Sequence, residues 1–320
     1  MTASLSKRSA VCIEQSRLPY SIEPAAIPRP YSREATQTAL QHNGRLSRME
    51  LILAPGRAEK NYWGDLWRYR ELFLILVWRD LAVRYKQTVV GVAWAVIRPL
   101  MTVAVFTVLF GKVAQLRAPG TVPYALLVCA GALPWQFFSS ALSEASNSLV
   151  SSAPLISKVY FPRLLIPAGA VMTGLVDLLL SFGVLLGLFV WMRFCPDWRL
   201  LTLPLFLLLA AGAALGAGLW LCALTVRYRD FRYIVPFILQ FGFFISPVGI
   251  DSALIPEKWR LLYSLNPMVG VIDGFRWALL RGESALYLPG LVASVAFTAV
   301  LGVGGLWYFR RVERTFADVI

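Results

Sequence analysis

Few side chains in this sequence are equipped for covalent chemistry. There is one histidine, His42, in a polar stretch near the N-terminus, so no Ser/His/Asp set can be assembled. The four cysteines, Cys12, Cys129, Cys195 and Cys222, are scattered, with no C-x-x-C and no partner at metal-ligand spacing. Three of them lie in or beside apolar runs, where a free cysteine behaves as a small hydrophobe. No G-x-x-x-x-G-K-[ST] occurs, so the chain lacks the loop that cradles nucleotide phosphates. Hydrolase and metalloenzyme chemistry are disfavoured, and no catalytic residue, metal or cofactor is expected on this chain.

Two other features are candidates for function. Asp177 falls in the middle of an apolar run, Gly174-Leu175-Val176-Asp177-Leu178. A carboxylate at a bilayer centre costs about 2.5–3.5 kcal/mol on insertion scales, so it must face protein or water. It reads as a hydrophilic patch in a pathway, as an ion pair with Arg98, or as a protonated or hydrogen-bonded structural residue. With no His or Lys relay, proton-coupled antiport is disfavoured. The second feature is Tyr233, Phe237, Phe241 and Phe244, at steps of 4, 4 and 3, one helical stripe with Gln240 in reach. Trp94, Phe106 and Phe110 sit near the two ends of an earlier apolar run. Such rings pack between helices, form interfacial belts, or line a pathway.

The elements that must position these groups follow from composition. The 320 residues are 58% hydrophobic and 15% charged, against about 45–50% and about 25% in soluble domains. The excess lies in long runs, each matching the ~20 apolar residues a membrane helix needs. The net charge of +13 comes from basic residues clustered beside those runs. They read as topology determinants and lipid-headgroup contacts, so no nucleic-acid partner is expected. The fold class is therefore an all-α polytopic membrane protein.

Residues 1–60, with Pro19, Pro24, Pro28 and Pro30, read as a flexible cytoplasmic extension without the apolar core of a cleaved signal. Residues 61–90 read as an amphipathic helix in the interface, with Trp67, Leu74, Trp78, Leu81 and Tyr85 on one stripe. Residues 91–320 hold six expected spans, near 92–111, 122–143, 164–192, 201–226, 233–250 and 286–309. Loop charges favour both termini inside, with Lys112, Arg117, Arg193, Arg199, Lys258, Arg260, Arg276 and Arg281 outside. The 251–283 stretch has two half-length apolar pieces, 259–265 and 268–280, broken at Asn266-Pro267. They read as re-entrant or interfacial helices, the alternative being a folded external loop. In the fourth span Gly212 and Gly216 form G-x-x-x-G, a close-packing signal within one subunit or at a dimer seam.

These spans carry an ordered series of short motifs. The fifth closes on Phe243-Phe244-Ile245-Ser246-Pro247-Val248, followed by Ile255-Pro256, Leu265-Asn266-Pro267-Met268, Arg276 and Leu280-Arg281-Gly282. Upstream lie Gly91-Val92-Ala93-Trp94 with Pro99, Lys158-Val159-Tyr160-Phe161-Pro162, and Arg227-Tyr228-Arg229-Asp230-Phe231. Over about residues 61–320 the series resembles the membrane subunits of ABC-2-type exporters for bacterial O-antigen, capsular polysaccharide and teichoic acid.

The resemblance implies a half-transporter of the bacterial inner membrane. Two copies would form the pathway, two separate ATPase subunits would carry ATP and Mg, and the cargo would be a lipid-linked glycan. It also implies a short coupling helix between spans two and three, here within 147–163, with Ser151 and Ser152 as capping residues and Leu155, Lys158, Tyr160 and Arg163 as contacts. The turn 227–232 is a second contact, with Asp230 free to pair with Arg227 or Arg229. For a glycan, whose C–H faces stack on rings, the pathway set is Trp94, Phe106, Phe110, Asp177, Tyr233, Phe237, Gln240, Phe241 and Phe244. Alternatives are an ABC-2 permease for a drug or small lipid, a membrane glycosyltransferase, which would need an acidic cluster at a membrane face, and a secondary transporter, which would need matched inverted repeats.

Overall fold

The computed structural model describes residues 62–85, 89–115, 118–120, 122–159, 161–313 and 316, so the 1–60 extension and Tyr160 lie outside the described residues. Among the described residues all regular structure is helical. The amphipathic segment is two helices, α1 (Tyr62–Arg68) and α2 (Arg70–Tyr85), meeting at Tyr69. α2 buries Leu76 and sets Val77 and Phe73 against Gly169. Trp67, Leu74 and Trp78, on the sequence-read stripe, point away from the rest of the chain.

α3 (Val89–Phe106) contains Pro99 and runs on as π-helical turns over Thr107–Val113. α4 (Tyr124–Ser151) is the most buried of the long helices, and the four-residue α5 (Ala153–Ile156) follows it. The remaining elements are α6 (Leu165–Trp191), α7 (Leu203–Arg227) with a 3-10 lead-in at Trp198–Thr202, α8 (Phe231–Ile245), α9 (Glu257–Tyr263), α10 (Pro267–Leu279) and α11 (Leu288–Glu313).

Five segments among the described residues are long and apolar enough to cross a membrane: Val96–Val113, α4, α6, Trp198–Arg227 and α11. The segment expected as a fifth span differs. α8 has 15 residues, about 22 Å at 1.5 Å per residue, against a hydrocarbon core of about 30 Å. It stops because Pro247 disfavours the α region for Ser246, whose ψ is 152°. The backbone 246–250 that follows is buried apart from a half-buried Ile250.

The core is α4 flanked by α6, α7 and α10, which the small residues of α7 make possible. A Cβ on Gly216 would stand 2.7 Å from the Gly302 nitrogen, and one on Gly218 2.9 Å from Ala145 Cβ. The G-x-x-x-G pair thus packs α7 against α11 within one chain. At Asn266-Pro267 the break becomes a helix start: the Asn266 side chain accepts from the Met268 N–H at 3.1 Å, and Pro267 opens α10. α10 is almost wholly buried rather than looped out.

Arg276 on α10, expected as an external loop charge, is fully buried. Its guanidinium donates to the carbonyls of Leu127 (3.2 Å), Ile250 (2.7 Å) and Val248 (2.8 Å). It holds α4, α10 and the chain after α8 together, since a buried charge is tolerated only when its donors are satisfied.

Candidate substrate pathway and coupling surface

A cavity of about 780 Å³ is walled by the end of α2 and by α3, α4, α6 and α8. α4 contributes Gln136, Ser139, Ser140 and Ser143, which share one helical face by their spacing. α8 contributes Gln240, Phe243 and Phe244, and α3 contributes Arg98 and Thr102. Hydroxyls and amides therefore face aromatic rings across one space.

Asp177 lines this cavity, and its partners differ from the expected one. The cation is Arg84 from α2, whose Nη1 donates to Asp177 Oδ2 at 2.7 Å, rather than Arg98. Arg84 also pairs with Glu144 of α4, and the Tyr85 hydroxyl donates to Asp177 Oδ1. Thr173 Oγ1 donates to Glu144 Oε2 at 3.2 Å. Burial, then the bond to Asp177, raises the Tyr85 hydroxyl above the ordinary tyrosine range, keeping it a donor. One guanidinium thus joins three helices and pairs with both carboxylates.

Of the pathway residues named from sequence, Asp177, Gln240 and Phe244 meet at the cavity. Phe106 and Phe110 pack together at 5.3 Å, and Phe106 meets Phe243 edge-on at 5.5 Å. Gly249 permits this, because a Cβ there would lie 2.4 Å from the Phe106 ring. Trp94 falls within α3, but its side chain lies outside the described residues. Tyr233, Phe237 and Phe241 do not reach the cavity: they are 78%, 60% and 53% exposed. α8 buries Val235 and Leu239 and approaches Trp135 through Gly242, which leaves the aromatic stripe on its unpacked face.

The pathway set read from sequence does not single out Glu144, which lies on the two further turns α4 makes beyond the expected span end at 143, nor Arg84 on α2, nor the α4 serines. The recurrence of serine at 139, 140 and 143 in an apolar run is the signal that points to them.

Around α5, Lys158 is exposed and Leu155 is half-buried against a cluster that includes Leu149 and Phe309. Ser152 occupies the cap position without a side-chain cap bond, its φ of −99° and ψ of 12° not being the extended conformation a cap needs. Ser151 instead turns its hydroxyl to the Ser148 carbonyl at 2.9 Å. Arg163 is engaged within the chain: its N–H donates to Glu313 Oε1 at 3.1 Å, its side chain to the Glu313 carbonyl, and its guanidinium lies 5.9 Å from the Phe316 ring centre. In the 227–232 turn, Arg227, Arg229 and Asp230 are exposed. Arg227 lies over the Tyr228 ring at 5.4 Å, and Asp230 forms no ion pair among the described residues.

Comparison with known proteins agrees with this architecture. Over 258 residues the chain is 29% identical to the O-antigen export system permease protein RfbA of Myxococcus xanthus, covering 80% of this chain and 98% of that protein. It is 27% identical to the RfbA of Klebsiella pneumoniae, covering 78% and 95%. The polysialic acid transport protein KpsM of Escherichia coli is 23% identical over 207 residues, covering 64% of this chain and 79% of the relative. Residues 71–280 match the ABC-2 type transporter family as a whole, from α2 through α10, and the chain belongs to that family.

Proposed function

We propose that this chain is the membrane-spanning subunit of an ATP-driven exporter that moves a lipid-linked polysaccharide across the bacterial inner membrane. The reading is supported by relatives named for O-antigen export and polysialic acid transport. The observation that carries it is the cavity, in which the hydroxyls and amides of Gln136, Ser139, Ser143 and Gln240 face Phe243 and Phe244. Hydroxyls and amides exchange hydrogen bonds with a sugar while rings stack on its C–H face. No covalent step falls to this chain.

In this reading two copies assemble with two ATPase subunits, which hold ATP and Mg. The exposed aromatic face of α8 then meets the pathway between copies. α8 and the buried 246–250 segment together act as a sixth crossing, α9 and α10 are re-entrant from the outer face, and both termini are cytoplasmic. α1 and α2 lie in the interface, and Lys158, Leu155 and the 227–232 turn touch the ATPase. Closure of the ATPases would pull α5, and with it the cavity wall on α4, while Arg84 carries the motion to α2 and α6.

The test is purification from native membranes in mild detergent, then reconstitution into vesicles with the lipid-linked glycan. A one-to-one ATPase partner and ATP-dependent glycan translocation are expected. A complex reproducibly without a nucleotide-binding partner would return the chain to the secondary-transporter or enzyme readings.

A further inference from the structure

A second crevice lies away from the pathway. It is an open groove of about 680 Å³ among α1, α2, the start of α6, α7 and α11, within the ~300–1,000 Å³ range of ligand sites. Its floor is made of small residues, Gly212 and Gly216 on α7 and Ala299 and Gly302 on α11. A Cβ on Gly302 would meet nothing within 4 Å, so the space there is open. The hydroxyl in the wall, on Thr298, donates to the Ser294 carbonyl at 2.8 Å and leaves its methyl beside Gly212. From Thr298 to Leu306 the crevice runs about 12 Å at 1.5 Å per residue, close to the ~15 Å depth of one leaflet.

At the end crossed by α1 and α2 the wall changes character. Arg70 is the charged residue of the lining, which also includes Trp63, and both are exposed. The Arg70 guanidinium lies 5.5 Å from the Trp67 ring centre and has no carboxylate partner among the described residues. An apolar slot of leaflet depth, capped by arginine and tryptophan, matches a phospholipid in cross-section: tail, interface, anion. Water gains nothing in such a slot, which lacks polar partners, whereas a phosphate on a guanidinium forms charge-assisted hydrogen bonds.

We propose that this crevice binds a single glycerophospholipid, with one acyl chain along the glycines of α7 and α11 and its phosphate on Arg70. The lipid wedges between the α1–α2 pair and α11, fixing the height of α1 and α2.

The full chain, stripped of lipid in non-ionic detergent, is titrated with phosphatidylglycerol and followed by native mass spectrometry. One tightly held lipid per chain is expected. Gly302→Leu, which fills the slot, weakens binding at least tenfold, and Arg70→Gln weakens it about tenfold. Gly183→Leu serves as control, because its Cβ also meets nothing within 4 Å but lies outside the crevice; it leaves binding unchanged. Equal binding by Gly302→Leu and the unaltered chain overturns the proposal, as does a co-purified lipid without a glycerophosphate, such as a polyprenyl glycolipid.

Discussion

Arg84, at the last turn of α2, donates to Asp177 at the middle of α6 across 2.7 Å and 93 residues of chain. The same guanidinium meets Glu144 on α4. All three side chains are partly exposed to the cavity, so the cluster is screened and each pair contributes less than a fully buried one. Its importance is geometric, since it ties the amphipathic helix to two crossing helices at a cavity wall.

Replacing Arg84 by Ala takes from Asp177 and Glu144 the cation they share, and a loss of roughly 1–2 kcal/mol is expected. Thermal unfolding in detergent checks this. A double-mutant cycle with Asp177→Asn should return a coupling near 1 kcal/mol, and strict additivity would remove the pair from the account.

The exposed aromatic face of α8 separates folding from transport. Because Phe237 and Phe241 are more than half exposed, their joint replacement by Ala should change subunit stability by about 0.5 kcal/mol or less per site. Glycan flux should fall several-fold. Unchanged flux, measured in cells or vesicles, would place these rings against lipid or another subunit instead.

The knot around Arg276 is intolerant of volume. In Gly131→Ala the new Cβ would lie 2.8 Å from Arg276 Nη2 and 3.0 Å from the Val248 carbonyl, a cost of about 1–3 kcal/mol. Arg276→Met strands three carbonyls and should cost more, at about 1–3 kcal/mol for each group left unpaired. Reduced yield and lower Tm of folded protein are the readouts.

Asp273, one turn before Arg276, has its carboxyl pushed up to about 6 by burial, against the opposing effects of the Ser252 hydrogen bond and Arg276. A carboxyl whose folded pKa exceeds its unfolded value favours the folded state most when protonated. Its contribution is complete below about pH 4 and is lost as pH rises through about 6. Tm should therefore be higher near pH 5 than near pH 7.5, by an amount that Asp273→Asn reduces. A variant with the same pH slope would assign the effect to other groups.

Lys158 is exposed beside α5. Lys158→Glu should leave Tm within experimental error while weakening co-purification of an ATPase subunit about tenfold. Full retention of the subunit would move the coupling contact elsewhere.

The sequence by itself determined most of the segments that are long and apolar enough to cross a membrane, because apolar length and helical period are local properties. The second, third, fourth and sixth expected spans lie on α4, α6, α7 and α11, and the Asn266-Pro267 break is a helix start. Family membership was likewise legible in the order of short motifs such as Ser246-Pro247 and Asn266-Pro267. What local pattern left open is which side of a helix is covered and which distant group answers a charge. Only the tertiary structure gave Asp177 to Arg84 instead of Arg98, buried Arg276 among three carbonyls, and turned the aromatic stripe of α8 away from its own core. The reason is physical. An apolar run is stabilised in lipid on any face, so burial inside the protein is chosen by shape, through residues such as Gly242 against Trp135 and Gly216 against Gly302. A charge in that medium takes whichever partner this packing brings within reach.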